Sequence, residues 1–118
     1  MKQDVNSFLP LSPAVLHILL ALAGEERHGY GIMLEIARQT EQRYKVGPGT
    51  LYDNLKKLLD ASLVEEAATK PGRDEDPRRR YYRLTAGGRA VLTAEVNRLD
   101  TVVREARASL QGARPRRA

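Results

Sequence analysis

Within the stretch VGPGTLYDNLKKLLDASLVEE, residues 46 to 66, the side chains able to meet an anion or a polar edge fall in a pattern. If the chain is helical after Pro48, then Leu51, Leu55, Leu58 and Leu59 recur at i, i+4, i+7 and i+8 and occupy one face. The opposite face carries Gly49, Thr50, Asp53, Lys56 and Lys57, with Tyr52 and Asn54 at its edges. Hydroxyls and amides can hydrogen-bond base edges, lysines can meet phosphates or guanine, and a glycine lets a backbone come close. A solvated helix face has similar chemistry, so this face alone does not separate a reading surface from an ordinary one.

A second concentration of charge follows. From Lys70 to Arg83 there are six basic and three acidic residues. LVEEAATK (63–70) and RRRYYRLT (78–85) are β-capable runs flanking PGRDEDP, a turn too long for a two-residue hairpin. Arg78, Arg79 and Arg80 stand where such a hairpin returns, positioned to track a phosphate backbone. Asp74, Glu75 and Asp76 lack the alternate spacing and glycine of a calcium loop and read as a solvated tip. In RHGYGIMLEIARQT (27–40), Gly29 and Tyr30 form a helix entrance whose hydroxyl and N–H groups suit a phosphate; a tyrosine simply packed at a helix start is the equal alternative. Gly29 and Gly31 do not begin a dinucleotide fingerprint, because no strand precedes them and the third glycine is absent.

Enzyme chemistry has no such grouping. The two histidines are separated, there is no cysteine, and no glycine-rich phosphate loop exists, so no set of residues takes the roles of nucleophile, base and electrophile. Neither a metal site nor a cofactor is expected. His17, alone among apolar neighbours, reads as a boundary core residue.

The positioning elements follow from local signals. Ser12 and Pro13 cap and open a helix over 13–23 that Gly24 stops, and its apolar residues run nearly all round, as for a central helix. AVLHILLALAG (14–24) is too short to span a membrane and lacks the basic head of a secretory signal, so a cytoplasmic chain is expected. The second helix lies in 27–40, the third begins at Pro48 and runs to 59, and the hairpin comes next. Three helices and then a basic hairpin is the order of a winged helix. Thr85 then caps a last helix whose Leu92, Val96, Leu99, Val103, Ala106 and Leu110 step by 4, 3, 4, 3 and 4, the seam of an intermolecular helix pair. The expected fold class is therefore mainly α with a small β-hairpin. Its parts are a winged helix-turn-helix domain over 1–84, a dimerisation helix over 85–110 and a basic flexible tail over 111–118. The 118 residues carry 20 Lys plus Arg against 15 Asp plus Glu, a net +5 that favours an anionic partner.

HGYGI, GPGTLYDNLKKLLDASLVE and RRYYRLTAGGRAVL together resemble the signature segments of PadR-type transcriptional regulators with a single C-terminal helix, a likeness covering about residues 12 to 110. The resemblance implies a homodimer, joined through the C-terminal helix, that binds a palindromic operator on double-stranded DNA and represses until a small molecule or another signal releases it. It puts the recognition helix at 48–59 and the wing at 64–84. Two departures stand out. Ser62 occupies a place where the family usually has glycine, implying a slightly different turn with the serine hydrogen-bonded locally, and without Trp the chain has no Trp-walled drug pore. The combined expectation assigns Gly49, Thr50, Tyr52, Lys56 and Lys57 to the groove, Tyr30 and Lys45 to flanking phosphates, and Arg78, Arg79 and Arg80 to the wing. A winged-helix protein-interaction adaptor without specific DNA binding is the rival reading.

Overall fold

The computed structural model describes residues 4–68 and 79–112. A 3₁₀ turn, Val5–Phe8, precedes helix α1 (Pro13–Ala23), strand β1 (Arg27–His28), α2 (Gly29–Gln39), α3 (Pro48–Asp60), strands β2 (Val64–Ala67) and β3 (Tyr81–Leu84), and the long α4 (Ala86–Leu110). The three helices and hairpin stand where capping and periodicity predict them. Ser12 Oγ accepts the Val15 N–H at 3.2 Å with Pro13 beside it, and Thr85 Oγ1 accepts the Gly88 N–H at 2.9 Å. The 3₁₀ turn and β1 are additions. β1 is only two residues long and has no alternation to betray it; it exists because β3 offers an edge, pairing Arg27 with Tyr82 and His28 with Tyr81. The expected hairpin is thus a three-stranded antiparallel sheet of order β1-β3-β2, with Val64 opposite Leu84 and Ala67 opposite Tyr81. The wing tip, Asp74 to Asp76 and Arg78 included, and the basic tail from residue 113 lie outside the described residues.

α1 runs through the middle, with Ile18 and Leu19 fully buried among Ile32 and Ile36 of α2, Leu51 and Leu55 of α3, and Val91 of α4. His17 is half-buried at the edge of this core, its ring centroid 5.0 Å from that of Tyr44. The leucine ladder of α3 does what its spacing demands: Leu51, Leu55 and Leu58 are buried and Leu59 partly so.

The turn leaving α3 corrects the expectation at Ser62. Leu63 N–H reaches Leu58 C=O at 3.0 Å and Ser62 N–H reaches Leu59 C=O at 3.1 Å, the two bonds of a Schellman ending. Ser62 has φ +62°, the left-handed conformation that glycine most readily supplies at this place. Among the described residues the Ser62 hydroxyl has no local partner; its carbonyl accepts from Thr85 Oγ1, 23 residues on, at 2.6 Å. Gly88, one turn into α4, is buried against the Leu63 carbonyl, where a Cβ would overlap backbone.

α4 begins inside the core and leaves it. Gly88, Val91, Leu92 and Glu95 are buried, whereas Val102, Val103 and Leu110 are 49%, 44% and 86% exposed on the continuation of that side. Leu92, expected on the intermolecular seam, is 6% exposed and belongs to the chain's own core, because the first turns of α4 close the winged unit instead of starting a separate one. Leu99 is half-buried, Val96 and Ala106 exposed. At the transition sits Glu95, 1% exposed, which accepts from Leu11 N–H at 3.0 Å and from Arg98 Nε and Nη2 at 2.6 and 3.0 Å. These bonds, led by the one from Arg98, hold its carboxyl below the usual range against the opposing effect of burial. Among the described residues no helix is long and apolar enough to cross a membrane.

Candidate nucleic-acid interface

α3 presents outward the face its sequence predicts. Gly49, Thr50, Tyr52, Asp53, Lys56 and Lys57 are all exposed. Asn54 turns its amide to the Thr50 carbonyl at 2.8 Å and so braces the helix instead of facing outward. Lys56 lies 3.6 Å from Asp60, but with both side chains more than 70% exposed this pair is weak and leaves the ammonium available.

The two edges of this face meet different surroundings. On one, the Tyr52 phenol lies over the entrance of α2: a Cβ placed on Gly29 would overlap the Tyr52 hydroxyl and come within 2.8 Å of Cζ. Gly29 is there for close approach, not for an unusual backbone angle. Around this contact opens a cleft of about 230 Å³ lined by His28, Gly29, Tyr30, Tyr52, Arg79, Arg80 and Tyr82. On the other edge, Lys57 borders a largely apolar groove with Phe8, Val15 and Leu58.

Four sequence-predicted residues therefore converge: Tyr30, Tyr52, Arg79 and Arg80, drawn from two helices and the two residues that lead into β3. Gly49, Thr50 and Lys56 share the α3 surface beside them, and Lys45 is exposed in the segment before α3 without lining the cleft. His28 and Tyr82 were missed. His28 caps α2, its Nδ1 accepting the Gly31 N–H at 3.0 Å, and its ring stands edge-on to Tyr81 with centroids 5.2 Å apart. Its position just before a glycine-opened helix was a signal for the cap, though not for the cleft. Tyr82 is 6% exposed, and burial, first among the causes, pushes its phenol up, so it remains a neutral hydroxyl at physiological pH.

The neighbouring charges are organised to hold this arrangement. Arg27 donates through Nε to the Ala21 carbonyl at 2.7 Å and approaches Glu35 at 3.6 Å, tying β1 to the end of α1 and the side of α2. Glu35 also accepts from Arg38 at 2.7 and 3.0 Å and from Gln39 at 2.8 Å; these bonds, Arg38's foremost, bring its carboxyl down to about 2. Arg83 is engaged by Glu65 at 2.8 Å and Glu26 at 3.4 Å. Arg80 bonds Glu66 at 3.0 Å, with the side chain still 68% exposed at the rim of the cleft.

The profile of the transcriptional regulator PadR-like family matches residues 15–94, from α1 to the buried half of α4. The chain belongs to that family. The transcriptional regulator Rv3488 of Mycobacterium tuberculosis is 42% identical over 91 residues, which cover 76% of this chain and 78% of that protein. A Bacillus subtilis PadR solved in complex with operator DNA superposes with a TM-score of 0.60 at 25% identity, over 74% of this chain and 48% of its own. A PadR family transcription regulator from Clostridium difficile R20291, 24% identical, shares the fold over 84% of this chain and 99% of its own, with a TM-score of 0.66. PadR-like proteins are transcriptional regulators and not enzymes.

Proposed function

We propose that this chain is a sequence-specific, DNA-binding repressor that acts in the cytoplasm as a homodimer on a palindromic operator and is released by a small-molecule effector. One observation carries the DNA reading: the outward face of α3, with Thr50, Tyr52 and Lys56, adjoins a cleft bearing Tyr30, Arg79 and Arg80. A helix that meets base edges needs backbone contacts beside it to fix its register, and this is their chemistry. The operator complex of the B. subtilis relative supports the same use of the fold. The homodimer rests on α4, whose side buried up to Glu95 continues as exposed Val102, Val103 and Leu110.

Affinity for a random duplex and for one selected from a random pool, measured against salt, tests the reading. Each phosphate contact contributes about 0.9 to the slope of log affinity against log salt, so both duplexes should show a steep decline. Thr50→Ala should leave the random duplex unchanged while reducing preference for the selected one by about 1 to 3 kcal/mol, the worth of a base contact. A wild type that binds neither duplex would make the adaptor reading the correct one.

A further inference from the structure

We propose that Asp53 is a specificity-determining residue: its carboxylate accepts a hydrogen bond from the exocyclic amino group of a cytosine in the major groove, which makes cytosine the required base at one position of each half-site. The inference rests on the DNA reading and deepens it, by giving a task to the anionic residue in the outward face of α3.

Position is the first argument. At about 3.6 residues per turn, the residue most nearly opposite the buried Leu51, Leu55 and Leu58 is Asp53. Thr50 and Lys57 stand to one side of it, Gly49 and Lys56 to the other, and all five are exposed. The middle of a helix lying in a groove faces base edges, and its flanks face the phosphates of the two strands. The lysines therefore take the flanks and the carboxylate takes the middle.

Its surroundings are the second. Every other carboxylate of α2, α3 and the sheet has a cation beside it: Glu35 has Arg38 at 2.7 Å, Asp60 has Lys56 at 3.6 Å, Glu65 has Arg83 at 2.8 Å and Glu66 has Arg80 at 3.0 Å. Lys56 and Lys57 follow Asp53 by three and four residues, the spacing at which helical ion pairs form. Yet Lys56 turns to Asp60, and Lys57 borders the apolar groove with Phe8 and Leu58. Among the described residues no cation or hydrogen-bond donor engages the Asp53 carboxylate, and its oxygens stay open to solvent.

A bare carboxylate brought between two phosphate strands is repelled, so it suits a reading face only where a donor meets it. In the major groove guanine and thymine present acceptors, adenine presents an amino group beside its N7 acceptor, and cytosine presents an amino group without one. An ionised carboxylate is an acceptor only, and cytosine is the base that matches it.

Selection of duplexes from a random pool by full-length wild type, Asp53→Ala and Asp53→Asn tests this. The wild-type site should hold one cytosine per half-site whose replacement costs about fivefold or more in affinity, the worth of a base contact. Methylation of that cytosine at N4, which keeps the base pair but removes the amino hydrogen facing the groove, should cost a similar factor. Asp53→Ala should accept any base there, ignore the methyl group and bind a random duplex more tightly than the wild type, because the repulsion is gone. Asp53→Asn should move the preference toward adenine, whose N6 and N7 an amide meets together. Since Asp53 is exposed, both variants should keep the wild-type helix content in circular dichroism. A cytosine preference that survives in Asp53→Ala, or an N4-methyl group that costs the wild type and Asp53→Ala equally, would overturn the role of Asp53 while leaving DNA binding in place. A wild type that binds no duplex overturns the DNA reading, and this role with it.

Discussion

The two halves of α4 carry the same kind of face and meet opposite surroundings. Up to Glu95 the inward side is closed by the subunit: Gly88 against the Leu63 carbonyl, Val91 and Leu92 in the core, and the Glu95 carboxylate bonded to Leu11 and Arg98. Beyond it that side continues apolar, and among the described residues Leu99 is half-buried while Val103 and Leu110 are 44% and 86% exposed. A heptad stripe therefore does not reveal which partner buries each of its positions. The boundary is marked by a buried charge that anchors the chain entering α1 to the helix leaving the domain.

The largest expected effect contrasts the two halves directly. Leu92→Ala should cost about 2 to 5 kcal/mol in urea unfolding, as other buried leucine truncations do. Val103→Ala should change the stability of the dissociated subunit by no more than about 0.5 kcal/mol. Val103→Arg should leave helix content intact while giving a monomer in light scattering at micromolar concentration, since an unpaired charge is not accommodated between apolar helices. A dimer that persists, or equal losses at Leu92 and Val103, would break the distinction.

A smaller effect concerns acid. Glu95 is held below the usual carboxylate range chiefly by Arg98, and Glu35 is brought to about 2 chiefly by Arg38. A carboxyl whose pKa is depressed in the folded state adds stability that is complete above its unfolded value and is lost as pH falls through the folded one. The unfolding free energy should thus decline as pH drops from about 5 toward 2. Glu95→Gln should flatten the part of that decline belonging to the anchored half of α4, and Glu35→Gln the part belonging to α2. Superimposable acid curves for the wild type and Glu95→Gln, from thermal melts across this range, would show that the anchor is not electrostatic.

The smallest effect lies where α3 hands over to the anchored half. Ser62 holds φ +62° while its carbonyl receives Thr85. Ser62→Gly should raise stability by roughly 0.5 to 1 kcal/mol by removing the cost of a left-handed side-chain residue, with DNA binding unaltered. No gain in the melting temperature would mean that the serine side chain offsets its own strain.

What the sequence by itself determined is whatever depends on neighbours along the chain. Ser12 with Pro13, Pro48, and Thr85 before Gly88 each satisfy or remove the orphan N–H groups of a helix start, so three helix starts were legible without a partner in space. The leucine spacing in α3 likewise fixed its outward face, since one buried stripe defines its opposite. Only the tertiary structure decided what depends on residues distant in the chain. β1 forms because β3 arrives beside it, and Leu92 is core because α4 crosses α1 before departing. Glu95 is a buried anchor because the Leu11 N–H, 84 residues earlier in the chain, meets it there. The cleft belongs to this second class. Its glycine, three tyrosines and two arginines lie in three separate segments, and the overlap that a Cβ at Gly29 would make with the Tyr52 phenol is a property of two helices packed together, which no periodicity in either helix records.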